Sequence, residues 1–185
     1  MQPVRKLSLS RVAGVAAFLL ACLCLPVIAA TYTARVVGIS DGDTLTVLDH
    51  DNVQHKIRLA GIDAPEKNQP WGQRSRRALA DKVYDRMVEI EVGKKDRYGR
   101  EVGKVLLGGE DINLELVRLG LAWHYKAYER EQSPQDRLAY ARAEQQARDR
   151  RQRLWRDAEA VPPWEFRKAG RPPAPRAHVA ESPQR

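Results

Sequence analysis

Two short acidic segments contain the residues best suited to chemistry. The first, residues 41–44, reads Asp-Gly-Asp-Thr. The second, residues 63–66, reads Asp-Ala-Pro-Glu and follows an apolar, strand-like run that carries Arg58. A second arginine, Arg100, lies downstream in a charged segment. Carboxylates bind hard divalent cations and guanidinium groups match phosphate oxygens, so this combination favours a metal-dependent hydrolase of phosphodiesters.

Hydrolysis of a phosphodiester requires an activated water, neutralisation of the phosphate, and stabilisation of the charge that develops in the transition state. Asp43 and Asp63 could hold the metal, and Glu66 could orient or deprotonate the water. Arg58 and Arg100 could bind the phosphate oxygens through paired hydrogen bonds. Each acidic segment alone could be an ordinary turn or strand exit. The full set in one small chain favours the catalytic interpretation.

The charged segment at residues 94–100 contains Arg97, Tyr98 and Arg100 around a tight Tyr-Gly turn. Runs of charge more often form solvated loops. A tyrosine between two arginines also suits a sugar-phosphate or a stacked base. We therefore treat Arg97 and Tyr98 as candidate substrate-binding residues.

Length and charge restrict the class of protein. The chain has 185 residues, enough for one domain with a real core, and a formal net charge of +8. This charge favours a polyanionic partner, either nucleic acid or anionic lipid. The four histidines lack metal-ligand spacing and have no Cys or Ser partner. A zinc site and a nucleophilic triad are therefore disfavoured.

Residues 1–30 have the pattern of a secretory signal peptide. Basic side chains precede an apolar run at residues 12–25, and small residues follow for cleavage after Ala29 or Ala30. The apolar run is short for a membrane span, so we expect no transmembrane segment in the mature chain. Both cysteines, Cys22 and Cys24, fall inside this segment. We expect a periplasmic or secreted protein, with a lipid anchor at Cys22 as the alternative.

Alternating apolar residues predict five strands, and longer periodic segments predict three helices. A helix before the fourth strand, and helices after the fifth, indicate a five-stranded β-barrel flanked by three helices. We expect one domain at residues 31–166 and a disordered Pro/Ala/Arg-rich tail at residues 167–185. The predicted strands are 31–40, 44–48, 53–59, 88–92 and 102–107, and the predicted helices are 72–87, 114–119 and 134–152. Leu79, Val83 and Met87 form the predicted apolar face of the first helix, and Asn113 and Ser133 are the predicted caps of the other two.

Several sequence blocks occur in the order found in a known family. They are residues 39–44, 57–66, 96–100, 113–122 and 154–155. Through these blocks the chain resembles the staphylococcal nuclease (thermonuclease) family over roughly Val36 to Trp155. The resemblance implies an OB-fold barrel and calcium-dependent cleavage of DNA and RNA that leaves 3′-phosphate ends.

The resemblance also implies roles for individual residues. Asp43 and Asp63 match the metal carboxylates, and Ala64 matches a ligand that binds the metal through its backbone carbonyl. The best-known family member has threonine at the position of Ala64, so any hydroxyl contact is lost here. Among residues 123–128, Tyr125 is the better match to a nucleotide-stacking tyrosine of the family. The residues that match the catalytic trio are Arg58, Glu66 and Arg100.

These observations predict an exported, metal-dependent nuclease of low sequence specificity. Calcium is the ion that the resemblance implies, and oxygen ligands would also accept Mg²⁺ or Mn²⁺. We expect a monomer without an obligate protein partner. One alternative is a non-catalytic OB-fold module that binds single-stranded nucleic acid, because basic charge and a barrel suit that function equally well. A third interpretation, supported only by the tail and the possible lipid anchor, is a secreted module that binds a protein or the cell envelope.

Overall fold

The computed structural model describes residues 30–170. The predicted signal peptide, apart from Ala30, and the predicted tail beyond residue 170 lie outside these residues. Within residues 30–170, no helix has both the length and the apolar character needed to cross a membrane.

The described chain contains eight β-strands and four α-helices. The strands are β1 (Ala30–Ile39), β2 (Thr44–Leu48), β3 (Gln54–Leu59), β4 (Ile62–Asp63), β5 (Met87–Lys95), β6 (Glu101–Leu107), β7 (Glu110–Asp111) and β8 (Trp123–His124). The helices are α1 (Gly72–Val83), α2 (Ile112–Arg118), α3 (Pro134–Asp149) and α4 (Pro163–Ala169). Two short 3₁₀ helices cover Lys126–Glu131 and Arg153–Arg156.

Five strands form the closed barrel that the sequence predicts. Their order is β3-β2-β1-β5-β6, and parallel pairing of β3 with β6 closes the sheet. In this closure Ile57 lies beside Glu101, and Arg58 lies beside Val102. Side chains alternate between the two faces of each strand, so Ile57 and Leu59 are buried inside while Arg58 points outward. The prediction of a five-stranded barrel with flanking helices is confirmed.

A small second ladder holds the end of the second acidic segment. Strands β4 and β8 pair antiparallel, which puts Asp63 beside Trp123 and Ile62 beside His124. Gly61 makes the turn into β4 with φ of 73°. A side chain there would be strained, and its Cβ would lie 2.3 Å from the amide nitrogen of Gln132.

Helix α1 is shorter than the sequence predicts, since it ends at Val83 and not at Met87. Asp85 adopts a left-handed conformation with φ of 59°, which reverses the chain. Its N–H then donates to the carbonyl of Val36 on β1 at 3.0 Å. Met87 belongs to β5 and is 59% exposed, so the prediction that it shares the buried face of α1 was wrong.

The residue that caps α2 also differs from the prediction. Asp111 is the cap, and its carboxylate accepts from Leu114 N–H. Asn113 is fully buried instead. Its amide group donates to the carbonyls of Ala60 and Gly103 at 3.0 and 3.1 Å. These bonds attach α2 to strand β6 and to the turn that leads into the second acidic segment.

Helix α3 begins where predicted, with Ser133 as its cap and Pro134 at its first position. Its small residues Ala143 and Ala147 are buried, and the helix packs against α2. Helix α4 was not predicted. It continues through Ala169, so the expected start of a disordered tail at residue 167 falls inside a helix.

Candidate active site

Arg58 lies between the two predicted metal carboxylates. Its Nη1 donates to Asp43 Oδ1, and its Nη2 donates to Asp63 Oδ1 at 2.9 Å. Both aspartates are buried, at 2% and 0% exposure. Burial tends to lower the pKa of Arg58, but the negative charges of Asp43 and Asp63 outweigh it, so that pKa is raised and the guanidinium stays charged. The two acidic segments therefore meet at one point on the outer face of β3.

Backbone contacts hold Asp43 in this position. The backbone carbonyl of Asp43 accepts from Leu59 N–H at 2.9 Å, and the side-chain Oδ2 of Asp43 accepts from Ala64 N–H at 2.7 Å. Gly42 is needed for this approach, because an added Cβ would lie 2.7 Å from the Cβ atoms of Ala64 and Ser75. The Asp-Gly-Asp turn thus packs directly against the second acidic segment.

The cluster holds more negative charge than Arg58 neutralises. The pKa of Asp43 is raised to about 7, mainly by burial and also by the charges of Asp41 and Asp63, while Arg58 and the Ala64 N–H oppose the rise. Clustered buried carboxylates are stabilised by an additional cation.

The donors present fit a hard divalent cation. Within residues 30–170, no three His, Cys, Asp or Glu side chains converge as a complete metal cage. The predicted donors are the carboxylates of Asp43 and Asp63, which meet here, and the backbone carbonyl of Ala64, which follows Asp63 in the chain. Oxygen donors of this kind are those that calcium prefers, with water completing the coordination.

Glu66 lies at the edge of this cluster, with its side chain 34% exposed. Its Oε1 accepts from Arg167 Nη1 at 2.7 Å. The same guanidinium contacts Asp63, with Nη2 to Oδ2 at 2.7 Å and Nη1 to Oδ1 at 3.2 Å. Arg167 belongs to α4, so the end of the described chain reaches back to the site.

Tyr125 lies beside Asp63 because of the β4–β8 ladder. Its N–H donates to the carbonyl of Gly61 at 2.9 Å. Burial and the nearby charge of Asp63 raise the pKa of its hydroxyl. The ring stacks on Trp164 of α4, with centroids 5.3 Å apart and an angle of 22° between the planes. The ring of Tyr128 meets it edge-on at 5.2 Å.

Arg97, Tyr98 and Arg100 lie in the loop between β5 and β6. Asp96 organises this loop, since its carboxylate accepts from the N–H groups of Tyr98 and Arg100 and from Arg100 Nε at 2.8 Å. Each guanidinium carbon of Arg97 and Arg100 lies 5.5 Å from the centroid of the Tyr98 ring. Among the described residues, Arg100 has no hydrogen bond or ion pair with Asp43, Asp63 or Glu66.

Strand pairing nevertheless puts Arg100 on the side of the barrel that carries Arg58. Val102 is the partner of Arg58 in the β3–β6 pair, and Arg100 lies two residues before Val102. Residues two apart in an extended chain share a face. Burial agrees, since Glu101, Gly103 and Val105 are buried while Arg100 and Val102 are partly exposed.

Comparison with known families agrees with this geometry. A family model described as "Staphylococcal nuclease homologue" matches residues 56–157. The chain belongs to this family. It is a staphylococcal-nuclease-like nuclease, an enzyme that hydrolyses phosphodiester bonds.

Individual relatives cover most of the nuclease. It is 43% identical over 136 residues to an "Uncharacterized endonuclease" of Haemophilus influenzae, and the aligned region covers 74% of this chain and 73% of the relative. It is 41% identical to "Protein ParB" of Escherichia coli, over 72% of this chain and 78% of the relative. It is 38% identical to a "Micrococcal nuclease" of Shigella flexneri, over 77% and 84% of the two chains.

Sequence reasoning missed Arg167 and the helix that carries it. The family match ends at residue 157, before α4 begins. One local signal could have predicted this helix, because Pro163 occupies its first turn and Glu165 adds an acid there. The contact with Asp63 spans 104 residues, and no local pattern indicates it.

The raised pKa of Asp43 predicts that Asp43→Asn changes the pH dependence of the free energy of unfolding, measured in excess chelator so that no metal is bound. A carboxyl whose pKa is higher in the folded state stabilises the fold while protonated, and this stability is lost as pH rises. The free energy of unfolding of the wild type should therefore fall, relative to the variant, between pH 3.8 and about 7. Urea denaturation across this range measures the difference. Asp81→Asn, on the exposed side of α1, is the control, and a pH-independent difference between Asp43→Asn and wild type would contradict the assignment.

Proposed function

We propose that this nuclease is calcium-dependent, cleaves DNA and RNA with low sequence specificity, and leaves 3′-phosphate ends. One observation carries the proposal. Two buried carboxylates from separate acidic segments meet around Arg58 on the outer face of the barrel. A nucleic-acid-binding module has no need for buried carboxylates facing a polyanion, whereas a metal-dependent hydrolase does.

Asp43, Asp63 and the carbonyl of Ala64 would hold the metal. When bound, the ion supplies positive charge to the phosphate and lowers the pKa of a coordinated water. Calcium is proposed because of the family, and Mg²⁺ or Mn²⁺ could bind the same oxygen donors.

Two arginines would bind the phosphate. Arg58 lies on β3, and Arg100 directly precedes the neighbouring strand β6, two residues before the partner of Arg58; each guanidinium offers paired donors to phosphate oxygens. Their charge would stabilise the negative charge that grows on these oxygens as water attacks phosphorus. Arg100 pairs with Asp96 in the structure, so its guanidinium would exchange one carboxylate for a phosphate.

Glu66 would act as the general base. Its side chain is partly exposed and lies at the rim of the cluster, where a water can reach it. A carboxylate in this place can accept the proton of the attacking water. Asp43 and Asp63 are less suited to this role because they are buried, so a water cannot reach them as it can reach Glu66.

The nucleic-acid strand would be held mainly by charge and stacking. Tyr98 would offer an aromatic face for a base, Tyr125 would offer the face that Trp164 does not cover, and Arg97 would offer a guanidinium for the backbone. Stacking accepts every base, and phosphate contacts carry no sequence information, so the proposed specificity is low. The proposed signal peptide carries three basic residues and no acidic one, so the mature enzyme has a formal net charge of 8 − 3 = +5, which adds a salt-dependent attraction.

We place this activity outside the cytoplasm. The proposal rests on the signal-like pattern of residues 1–30, which fits either the periplasm or secretion. A lipid anchor at Cys22 is the alternative. The enzyme is proposed to act as a monomer.

The role of Glu66 predicts a loss of turnover in Glu66→Gln. We expect kcat on single-stranded DNA to fall by about 10²- to 10⁴-fold, because glutamine cannot accept a proton. Far-UV circular dichroism should remain that of the wild type, since Glu66 is at the surface. Glu110→Gln, at an exposed site, is the control. Turnover close to wild type in Glu66→Gln would exclude the general-base role.

The role of Arg100 predicts that Arg100→Ala lowers kcat/KM by about 10²-fold, because one charged donor to the transition state is lost. Arg77→Ala removes an exposed arginine of α1 and should leave the rate near that of the wild type. Steady-state cleavage of a labelled oligonucleotide measures both. Equal rates for the two variants would show that Arg100 does not contact the reacting phosphate.

The metal proposal predicts that excess chelator stops cleavage and that added calcium restores it. Parallel reactions with Mg²⁺ or Mn²⁺ identify the preferred ion. Mass spectrometry of the products should show 3′-phosphate and 5′-hydroxyl ends. Cleavage that continues in chelator would refute the metal proposal, and 5′-phosphate ends would refute the proposed product chemistry.

A further inference from the structure

Both carboxylate oxygens of Asp63 are occupied by guanidinium groups. Oδ1 accepts from Arg58 at 2.9 Å and from Arg167 at 3.2 Å. Oδ2 accepts from Arg167 Nη2 at 2.7 Å, and this is its one hydrogen bond among residues 30–170. Arg167 therefore holds the oxygen of Asp63 that Arg58 leaves free.

Arg167 also neutralises Glu66, so one side chain bridges a proposed metal ligand and the proposed general base. Burial tends to lower the pKa of Arg167, but its bonds to Asp63 and Glu66 outweigh this and raise it. The side chain is 42% exposed, whereas Arg58 is only 18% exposed. Arg167 can thus leave the site toward water without burying its charge.

The helix that carries Arg167 rests on the site through aromatic contacts. Trp164 stacks on Tyr125 and meets the edge of Trp123, with ring centroids 6.5 Å apart. Pro163 is the buried residue of α4. These contacts are few, and α4 has only seven residues. A short helix with one buried residue is expected to detach more easily than the barrel unfolds.

A divalent cation and a guanidinium cannot share one carboxylate oxygen without strong repulsion. We propose that Arg167 is an internal counter-ion that competes with the metal for Asp63 and thereby sets the metal affinity of the site. This inference rests on the proposed metal-dependent function. In the metal-free protein Arg167 neutralises the acidic cluster, and metal binding displaces it and loosens α4.

The coupling must be reciprocal. If Arg167 weakens metal binding by some factor, bound metal weakens the docking of α4 by the same factor. The competition therefore has two readouts that do not require nuclease activity. They are the dissociation constant of calcium and the environment of Trp164.

The first test compares Arg167→Gln with Lys168→Gln by calcium titration calorimetry on the purified protein. Each change removes one positive charge from α4, but Lys168 has no ion pair with the acidic cluster within the described residues. We expect Arg167→Gln to lower the calcium Kd by at least about fivefold, within the usual range of coupling between sites. Lys168→Gln should stay within about twofold of wild type, because its charge is exposed and screened.

The second test labels the tryptophans with fluorine and follows Trp164 by ¹⁹F NMR during calcium titration. Trp164→Phe identifies its resonance. In the wild type, calcium should shift or broaden this resonance as α4 loosens. In Arg167→Gln, calcium should change it much less, because no ion pair remains to be broken.

The outcomes separate this inference from the proposed function. If calcium binds the wild type and Arg167→Gln with equal affinity, or if Lys168→Gln changes the affinity as much, the counter-ion role is wrong while metal dependence stands. If calcium binds Arg167→Gln but binds neither the wild type nor Lys168→Gln, the counter-ion role is strongly supported. If calcium binds neither the wild type nor Arg167→Gln nor Lys168→Gln, and the calcium titration of Asp63→Asn matches that of the wild type, the metal site itself is refuted. The inference then fails with it.

Discussion

The rest of the site depends on the burial of two carboxylates around one guanidinium. Asp43 and Asp63 lie at most 2% exposed, and two guanidinium groups, those of Arg58 and the more exposed Arg167, pair with them. Burying charge is costly even when it is paired, and the raised pKa of Asp43 reflects this cost. Because Arg167 can return to water, a cation can replace it at Asp63, which is what the proposed metal-dependent activity requires.

The barrel gives this cluster its geometry. Pairing of β3 with β6 closes the sheet and puts the loop of Arg100 on the side that carries Arg58. The β4–β8 ladder fixes Asp63 and Tyr125 beside each other. Asn113 attaches α2 to the turn between these elements through buried hydrogen bonds. Chemistry-bearing side chains therefore lie on strand ends and short turns supported by a packed core, which suits precise positioning.

Local sequence patterns predicted most of the barrel but failed at helix ends. Period-two alternation identified the strands, and the Ser133-Pro134 start identified α3. The apolar spacing of α1 continued to Met87, yet Asp85 reverses the chain because its backbone bonds to β1. Asn113 has the residue type of a helix cap, but the cap is Asp111, and the side chain of Asn113 is buried instead and donates to the carbonyls of Ala60 and Gly103. In each case a contact distant in sequence decided the local structure.

The sequence by itself determined which groups can do chemistry. The two acidic segments and the arginines are visible in the chain, and strand alternation alone turns Arg58 away from the core. Only the tertiary structure decided how these groups are paired. It engages Asp63 with two guanidinium groups, one of them on Arg167, at a separation of 104 residues. Ion pairs between distant residues depend on how packed elements meet, and this information is absent from local spacing.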